Sequence, residues 1–292
     1  MPKTARLAIA AILAAGAVSL SVSAQARELI QNKGSDTLVN VAQAWAEAYQ
    51  KVNSDVAVAV TGGGSGTGIA AMINGTVDIA NASRAMKGKE LELAKSKGQN
   101  PIEHTVGFDA LVVYLHKDNP AKILSIPQLA EIYGEEGKTE KWTDIGLEVP
   151  GCKDQEMVLV SRQNNSGTYA YFRKAVLGKA RDYRMGTRDM HGSKDVVDLV
   201  EKTPCAIGYS GLAYATDHVK LACVAMDGKD CVMPSVQTAA DGSYPIARPL
   251  LMYTNGEPTG EVKKYLDFIL SDEGQCIIRD KGYAPVRDVT CN

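Results

Sequence analysis

Residues 61–84 read TGGGSGTGIAAMINGTVDIANASR. The glycine, serine and threonine cluster from Gly62 to Gly68 runs directly into Ile69, Ala70, Met72 and Ile73, apolar residues at helical spacing, and Gly75 supplies a stop. Val56 to Val60 before the cluster reads as a strand, and Val77 to Ala80 after the helix reads as another, leading into Asn81-Ala82-Ser83-Arg84. Strand, glycine turn, helix and strand make the repeating unit of an α/β protein. The turn also carries chemistry. A helix start leaves backbone N–H groups unpaired and holds the positive end of the macrodipole, hydroxyls add donors, and glycine lets the backbone approach a ligand closely.

Two further clusters of this kind stand before helical patterns. Gly34-Ser35-Asp36-Thr37 follows a strand at Glu28 to Asn32 and precedes Leu38, Val41, Ala42, Trp45, Ala48 and Tyr49. Asn165-Ser166-Gly167-Thr168 follows a strand at Met157 to Ser161 and precedes a helix over Tyr169 to Leu177. Arg162 lies four residues before Ser166, a guanidinium able to grip two oxygens at once. Three such starts, brought together, would surround one small oxyanion.

Farther along, Leu91 to Lys97 reads as a helix, Ala110 to Leu115 as a β-rich run, Ala206 to Tyr209 and Leu221 to Val224 as strands, Arg248 to Tyr253 as a strand, and Glu261 to Leu270 as an amphipathic helix. The about 266 residues that follow position 26 of the 292 suit one large or two moderate domains. At the start, Lys3 and Arg6 precede an apolar run from Leu7 to Leu20, and Ala24-Gln25-Ala26 fits signal-peptidase cleavage, so residues 1–26 read as an export signal. Without Lys3 and Arg6, 30 basic residues face 34 acidic ones, a formal charge of −4. Nucleic acid and acidic membrane surfaces need clustered Lys and Arg, so neither is expected as a partner, and any anion must be held by local donors.

All six cysteines lie between Cys152 and Cys291, and an even number in an exported protein suggests disulfides. Fifteen connectivities are open. Asp227-Gly228 signals a hairpin turn that would pair Cys223 with Cys231, Cys276 with Cys291 would pin the C-terminal tail, and Cys152 would remain for Cys205. No CxxC appears, and His104, His116, His191 and His218 are scattered without ligand spacing, so no metal and no cofactor is expected. Enzyme signatures are missing too. Thr67 occupies the last glycine position of a GxSxG elbow around Ser65, and no glycine loop ends in Gly-Lys-Ser/Thr.

Four segments, GSDTLVNVAQAWAEAYQ (34–50), TGGGSGTGIAAMINGTVDIANASR (61–84), SRQNNSGTYAYF (161–172) and CAIGYSGLAYA (205–215), resemble the periplasmic phosphate-binding receptors of ABC transporters, the PstS-type family. The resemblance implies a two-lobed α/β periplasmic binding protein fold with a hinge and an interlobe ligand cleft. Lobe one would be residues 27–112 plus 245–292 and lobe two residues 113–244. It implies a monomer that captures inorganic phosphate and delivers it to a membrane ABC permease, by binding and not by chemistry. Carried over by motif, Thr37, the backbone of Leu38 and Ser65 would hold the ligand from one lobe, and Arg162, Ser166, Gly167 and Thr168 from the other; Gly66, Thr67, Ser83 and Arg84 are further candidate phosphate contacts beside the first group.

Two positions depart from the family pattern. Arg84 stands where the best-known members place a carboxylate that accepts the proton of monohydrogen phosphate and repels sulfate, and Asn164 stands where an acidic partner of the site arginine often lies. Asp36 is the candidate replacement proton acceptor, with Asp78 and Asp109 behind it. A receptor for sulfate, arsenate or another tetrahedral oxyanion is the alternative reading, and an exported phosphate hydrolase or signalling protein on the same scaffold is the third.

Overall fold

A computed structural model describes residues 27–178, 180–227 and 230–291. The expected export signal and the turn residue Gly228 lie outside the described residues. The chain opens with β1 (Glu28–Gly34), α1 (Val39–Val52), β2 (Val56–Thr61), α2 (Ser65–Ile73), β3 (Ile79–Ala82) and α3 (Gly88–Ser96), then enters the long strand β4 (Pro101–His116). A second run comprises β5 (Ile123–Ser125), α4 (Ile126–Tyr133), β6 (Val158–Arg162), α5 (Gly167–Phe172), β7 (Arg188–Met190), α6 (Ser193–Lys202), β8 (Ala206–Gly211) and β9 (Val219–Leu221). The remainder is β10 (Cys223–Ala225), β11 (Cys231–Val232), α7 (Val236–Ala240), β12 (Ala247–Asn255), α8 (Gly260–Leu270) and α9 (Asp272–Asp280).

One sheet has the order β2-β1-β3-β12-β4-β8-β6-β7, with β9 also on β4. Its first half is a parallel unit in which β1 pairs with β2 and β3, and its second half is another in which β6 pairs with β7 and β8. The join is antiparallel: β12 lies against both β3 and the first part of β4, while Leu111 to Leu115 of β4 pair with β8. A parallel strand inside the sheet is buried on both faces, as IANA of β3 is along its whole length, whereas VAVAVT of the edge strand β2 is buried only at Val56 and half-buried from Ala57 to Val60. Separate apolar clusters follow from this layout. Ile30, Trp45, Ile79, Met252 and Tyr265 pack on one face of the first half, and Ile69, Met72, Ala80 and Tyr253 on its other face. In the second half, Val112 and Tyr114 of β4 join Trp142, Phe172, Val197 and Ile207.

Several sequence expectations shift at their edges. β4 begins at Pro101 and not at the expected Ala110, because its first part, PIEHTVGFD, is paired along β12 and is interrupted by the polar residues Glu103, His104, Thr105 and Asp109, so it carries no apolar run. Helix α3 starts at Gly88 and not Leu91, where Glu90 accepts from the Lys87 N–H and closes the first turn. The expected strand at Leu221 to Val224 divides at Ala222, since Cys223 to Ala225 leave for a small separate sheet with β5 and β11. The helix expected at Tyr169 begins at Gly167, and its last turn, Arg173–Leu177, widens to π geometry.

Three disulfides form among the described residues, Cys152–Cys205, Cys223–Cys231 and Cys276–Cys291. They join the pairs suggested by the turn and tail positions. The first spans 53 residues and ties the loop before β6 to the residue before β8, beside the buried Trp142, whose indole N–H donates to the Cys205 carbonyl at 3.1 Å. Closing a loop of that length restricts the unfolded chain by about 4 kcal/mol. Replacing Cys152 and Cys205 together with alanine is expected to lower unfolding stability by about 2–4 kcal/mol, read from the denaturant midpoint; a loss below about 1 kcal/mol would contradict it.

Candidate functional site

The carboxyl ends of β1, β2, β3 and β6 carry all three glycine–hydroxyl clusters to one side of the sheet. A crevice beyond the carboxyl ends of parallel strands is where open α/β sheets bind ligands. Gly34 makes the first turn possible: its φ is +146°, and a Cβ there would lie 2.1 Å from the Asn81 carbonyl oxygen. From that turn Ser35 donates its backbone N–H to Asn81 O at 2.9 Å, and the short turn Asp36–Leu38 leads into α1. Gly63 and Gly64, also at positive φ, fold back so that Gly64 N donates to Gly34 O at 2.9 Å and Gly63 N to Asp36 Oδ1 at 2.9 Å. The first two clusters are therefore one hydrogen-bonded unit.

From β3, Ser83 joins them. Its N–H donates to Ser65 Oγ at 3.0 Å, its hydroxyl lies 3.0 Å from Ser35 Oγ and 3.4 Å from Ser65 Oγ, and both Ser65 and Ser83 are fully buried. The third cluster meets this group from the second half of the sheet. Thr168 Oγ1 lies 3.0 Å from Thr37 Oγ1, although 131 residues separate them. Gly167 sits on the serine pair: a Cβ on it would be 2.2 Å from Ser65 Oγ and 2.5 Å from Ser83 Oγ. Asn165 closes the rim, accepting from Gly66 N at 2.8 Å and donating its amide to Gly63 O at 3.0 Å. Ser166 caps α5, its hydroxyl accepting from the N–H groups of Thr168 and Tyr169.

Two arginines flank the hydroxyls. Arg162, 1% exposed, donates to Met190 O at 3.3 Å, Ser193 Oγ at 3.1 Å, His191 O at 2.7 Å and Asp36 Oδ2 at 3.1 Å. Burial pulls its pKa below the usual guanidinium value, and the facing Asp36 carboxylate opposes that pull. The Asp36 partnership answers the Asn164 departure: the carboxylate beside the arginine comes from the other half of the sheet. Tyr214, whose burial pushes its pKa up to about 12, stays a phenol and donates to the Asp36 carbonyl at 2.7 Å. Beside Arg162, the Tyr209 ring stacks on Phe172 at 3.8 Å and its hydroxyl meets Ser161 Oγ at 2.7 Å, which anchors β6 to α5.

Arg248 is the second. It lies opposite Asp109 across the β12–β4 pair and shares a fully buried ion pair with it at 2.7 Å. Burial raises the Asp109 pKa, and the Arg248 charge and hydrogen bonds oppose the rise. No motif pointed to Arg248; the sequence places it only inside a strand.

The structure brings together Thr37, Ser65, Ser83, Arg162, Ser166, Gly167 and Thr168. Other expected contacts are engaged locally. Leu38 N donates to Ser35 O at 3.1 Å, Gly66 N to Asn165 O, and the Thr67 hydroxyl to Gly64 O at 2.7 Å. Arg84 requires correction. Its guanidinium forms a two-pronged ion pair with Glu90, both bonds 2.8 Å, and a further bond to Ala85 O, so it serves the start of α3 and makes no bond to the hydroxyl cluster. Burial raises the Glu90 pKa, but hydrogen bonds from Arg84 and the Lys87 backbone leave it lower than usual. Asp78 instead accepts from Gln31 N at 2.7 Å, away from the cluster.

The PBP superfamily domain matches residues 21–273. The phosphate-binding protein PstS of Pseudomonas aeruginosa is 34% identical over 269 residues, covering 88% of this chain and 83% of that protein. The protein SphX of Synechococcus elongatus is 35% identical over 302 residues, with 98% and 86% covered. Among solved structures, a putative phosphate ABC transporter substrate-binding protein from Clostridium perfringens, with bound phosphate, superposes with a TM-score of 0.79 at 31% identity, covering 89% of this chain and all of that one. An ABC-type phosphate transport receptor from Vibrio cholerae gives 0.68 at 26% identity, with 87% and 99% covered.

Proposed function

This chain belongs to the PBP superfamily and, within it, to the family of the PstS phosphate-binding proteins, and from that premise we propose that it captures inorganic phosphate after export and hands it to a membrane ABC permease. The observation that carries the reading is the meeting of Thr37 and Thr168 hydroxyls at 3.0 Å, with Gly167 pressed against Ser65 and Ser83. Hydroxyls from sequence-distant helix starts, flanked by buried arginine, are the donors a desolvated tetrahedral dianion needs. The oxyanion would replace the hydroxyl-to-hydroxyl contacts, with Arg162, Ser166 and the backbone of α5 on one side and Thr37, Ser65 and Ser83 on the other.

In this reading the chain divides into lobe one, residues 27–112 plus 245–292, and lobe two, residues 113–244, joined where the chain crosses within β4 and again just before β12. Ligand contacts on both lobes then favour the closed arrangement, because only that arrangement makes them all at once. The work is binding, and the protein acts as a monomer. No helix among the described residues is long and apolar enough to cross a membrane.

Calorimetric titration with phosphate, sulfate and arsenate tests this. Tight one-to-one phosphate binding that excludes sulfate is expected. Equal sulfate binding would favour a general dianion receptor, and no binding would sink the proposal. Asp36 is the proposed acceptor for the ligand proton: each of its oxygens already accepts one protein donor and keeps a second lone pair. Asp36→Asn is expected to lower the phosphate-over-sulfate affinity ratio about tenfold or more. An unchanged ratio would remove Asp36 from that role.

A further inference from the structure

Arg248 ends at the two hydroxyls that meet across the cleft, yet nothing in its sequence neighbourhood marks it. Asp109 Oδ2 accepts from its Nε at 3.0 Å and its Nη2 at 2.7 Å. The remaining donors reach farther: Nη1 to Thr168 Oγ1 at 3.0 Å, and Nη2 to Thr37 Oγ1 at 3.3 Å. The Tyr171 ring packs over the guanidinium, its centroid 5.8 Å from Cζ. The residue is 1% exposed, and its position on β12 is fixed by the cross-strand pairing with Asp109 on β4.

A guanidinium has five donors, no acceptor and a charge it does not lose. Both threonine oxygens therefore accept from Arg248, and each hydroxyl proton must point elsewhere. We infer that Arg248 is a positioning residue of the oxyanion site, holding Thr37 and Thr168 as acceptors toward the protein so that both present protons to the bound anion. The inference rests on the receptor reading and sharpens it into a statement about hydrogen-bond polarity. Across the cleft the same logic recurs, for Ser65 Oγ accepts from Ser83 N, and Ser166 Oγ accepts from Thr168 N and Tyr169 N.

Polarity sets which protonation state the site accepts. Dianionic phosphate offers three accepting oxygens and one P–OH, and the monoanion offers two P–OH groups. A wall of oriented donors suits the dianion, since a second P–OH facing it would meet donor against donor. Without Arg248 the threonines can rotate and accept from a P–OH, so the monoanion gains relative to the dianion.

The test is phosphate titration at about pH 5 and about pH 8, either side of the second ionisation of inorganic phosphate at about pH 7, somewhat above that of a phosphate monoester, on the wild type, Arg248→Lys and the double variant Asp109→Leu/Arg248→Met. Lysine keeps the charge but, as a point donor, cannot fork to Asp109 and both threonines. The double variant removes the buried pair as a unit, a replacement that hydrophobic residues of similar volume often tolerate. The other charged groups at the cleft, Asp36 and Arg162, and the phenols Tyr171, Tyr214 and Tyr283 are common to all three proteins, so the difference between wild type and Arg248→Lys isolates Arg248, and the double variant reports on the Asp109–Arg248 pair as a unit.

Each variant is expected to lose about tenfold to a hundredfold in affinity at the higher pH, the value of one or more hydrogen bonds to a charged group. At the lower pH the loss should be at least about fivefold smaller, flattening the profile. Equal losses at both pH values, or none, would overturn the positioning role and leave Arg248 as scaffolding. If thermal unfolding shows the double variant unfolded, Arg248→Lys decides alone. A wild type that binds no phosphate at either pH would instead remove the receptor reading itself.

Discussion

Arg162→Lys is expected to weaken phosphate binding by about one order of magnitude, and Arg162→Met by about two. The guanidinium lies 1% exposed at the end of β6, and its four protein partners, Asp36, Ser193 and the Met190 and His191 carbonyls, fix its plane toward the hydroxyl cluster. Four of its five N–H groups are engaged by the protein, so the remaining Nη1 proton would make one charge-assisted hydrogen bond to the anion, a contribution of about 1.5–3 kcal/mol. Lysine retains the charge and loses the fork, which places its effect at the lower end. Folding is expected to survive, because Asp36 keeps the Gly63 N–H and partial access to water. Calorimetry with a parallel melting curve checks this. A loss under about fivefold in Arg162→Met would show that the arginine serves β6 and α6 and not the ligand.

Gly167→Ala tests the closeness of the two halves. A single methyl there would stand 2.2 Å from Ser65 Oγ and 2.5 Å from Ser83 Oγ, and Ser65 is itself held by the Ser83 N–H. Overpacking of this kind typically costs about 1–3 kcal/mol. Here the cost falls on the approach of the halves and not on either core, since Gly167 lies at the first turn of α5, where alanine is a good helix former. Phosphate affinity should therefore fall about tenfold to a hundredfold while the melting temperature without ligand barely moves. The stabilisation given by a fixed phosphate concentration should shrink in step, as linkage requires. Unchanged affinity would mean that bound phosphate holds the halves farther apart than the contacts between Gly167 and the serines.

Local chemistry made much of this protein legible. The strand, glycine turn and helix pattern at residues 61–84, and its echoes at 34–50 and 161–172, are written in short-range spacing, so the α/β elements and the three helix starts emerge without tertiary information. Trp45 at helical spacing reads as core, and it is fully buried with its indole N–H on Gly274 O. The cysteine pairs followed from turn and tail positions because two of the three bridges close short loops, of 8 and 15 residues.

Long-range pairing was not legible. Arg84 follows the right motif at the end of β3, but the side chain's direction was decided by Glu90, six residues on and poised at the first turn of α3. The first part of β4 gave no strand signal because Glu103, His104 and Thr105 interrupt its apolar residues, and only pairing with β12 makes it a strand. Arg248 and Asp109 each look like an ordinary polar residue in a strand; antiparallel register sets them face to face across 139 residues and drives both charges into a site where neither could stand alone.

The sequence by itself determined the building units and the donor chemistry of the three clusters, since glycine conformations, helix starts and hydroxyl side chains are properties of a few adjacent residues. Only the tertiary structure decided which charges face those donors. An ion pair between distant residues depends on which strands become neighbours, and so Asp36 was assigned to Arg162 and Asp109 to Arg248 by the packing of the sheet, while the turn between β3 and α3 assigned Glu90 to Arg84.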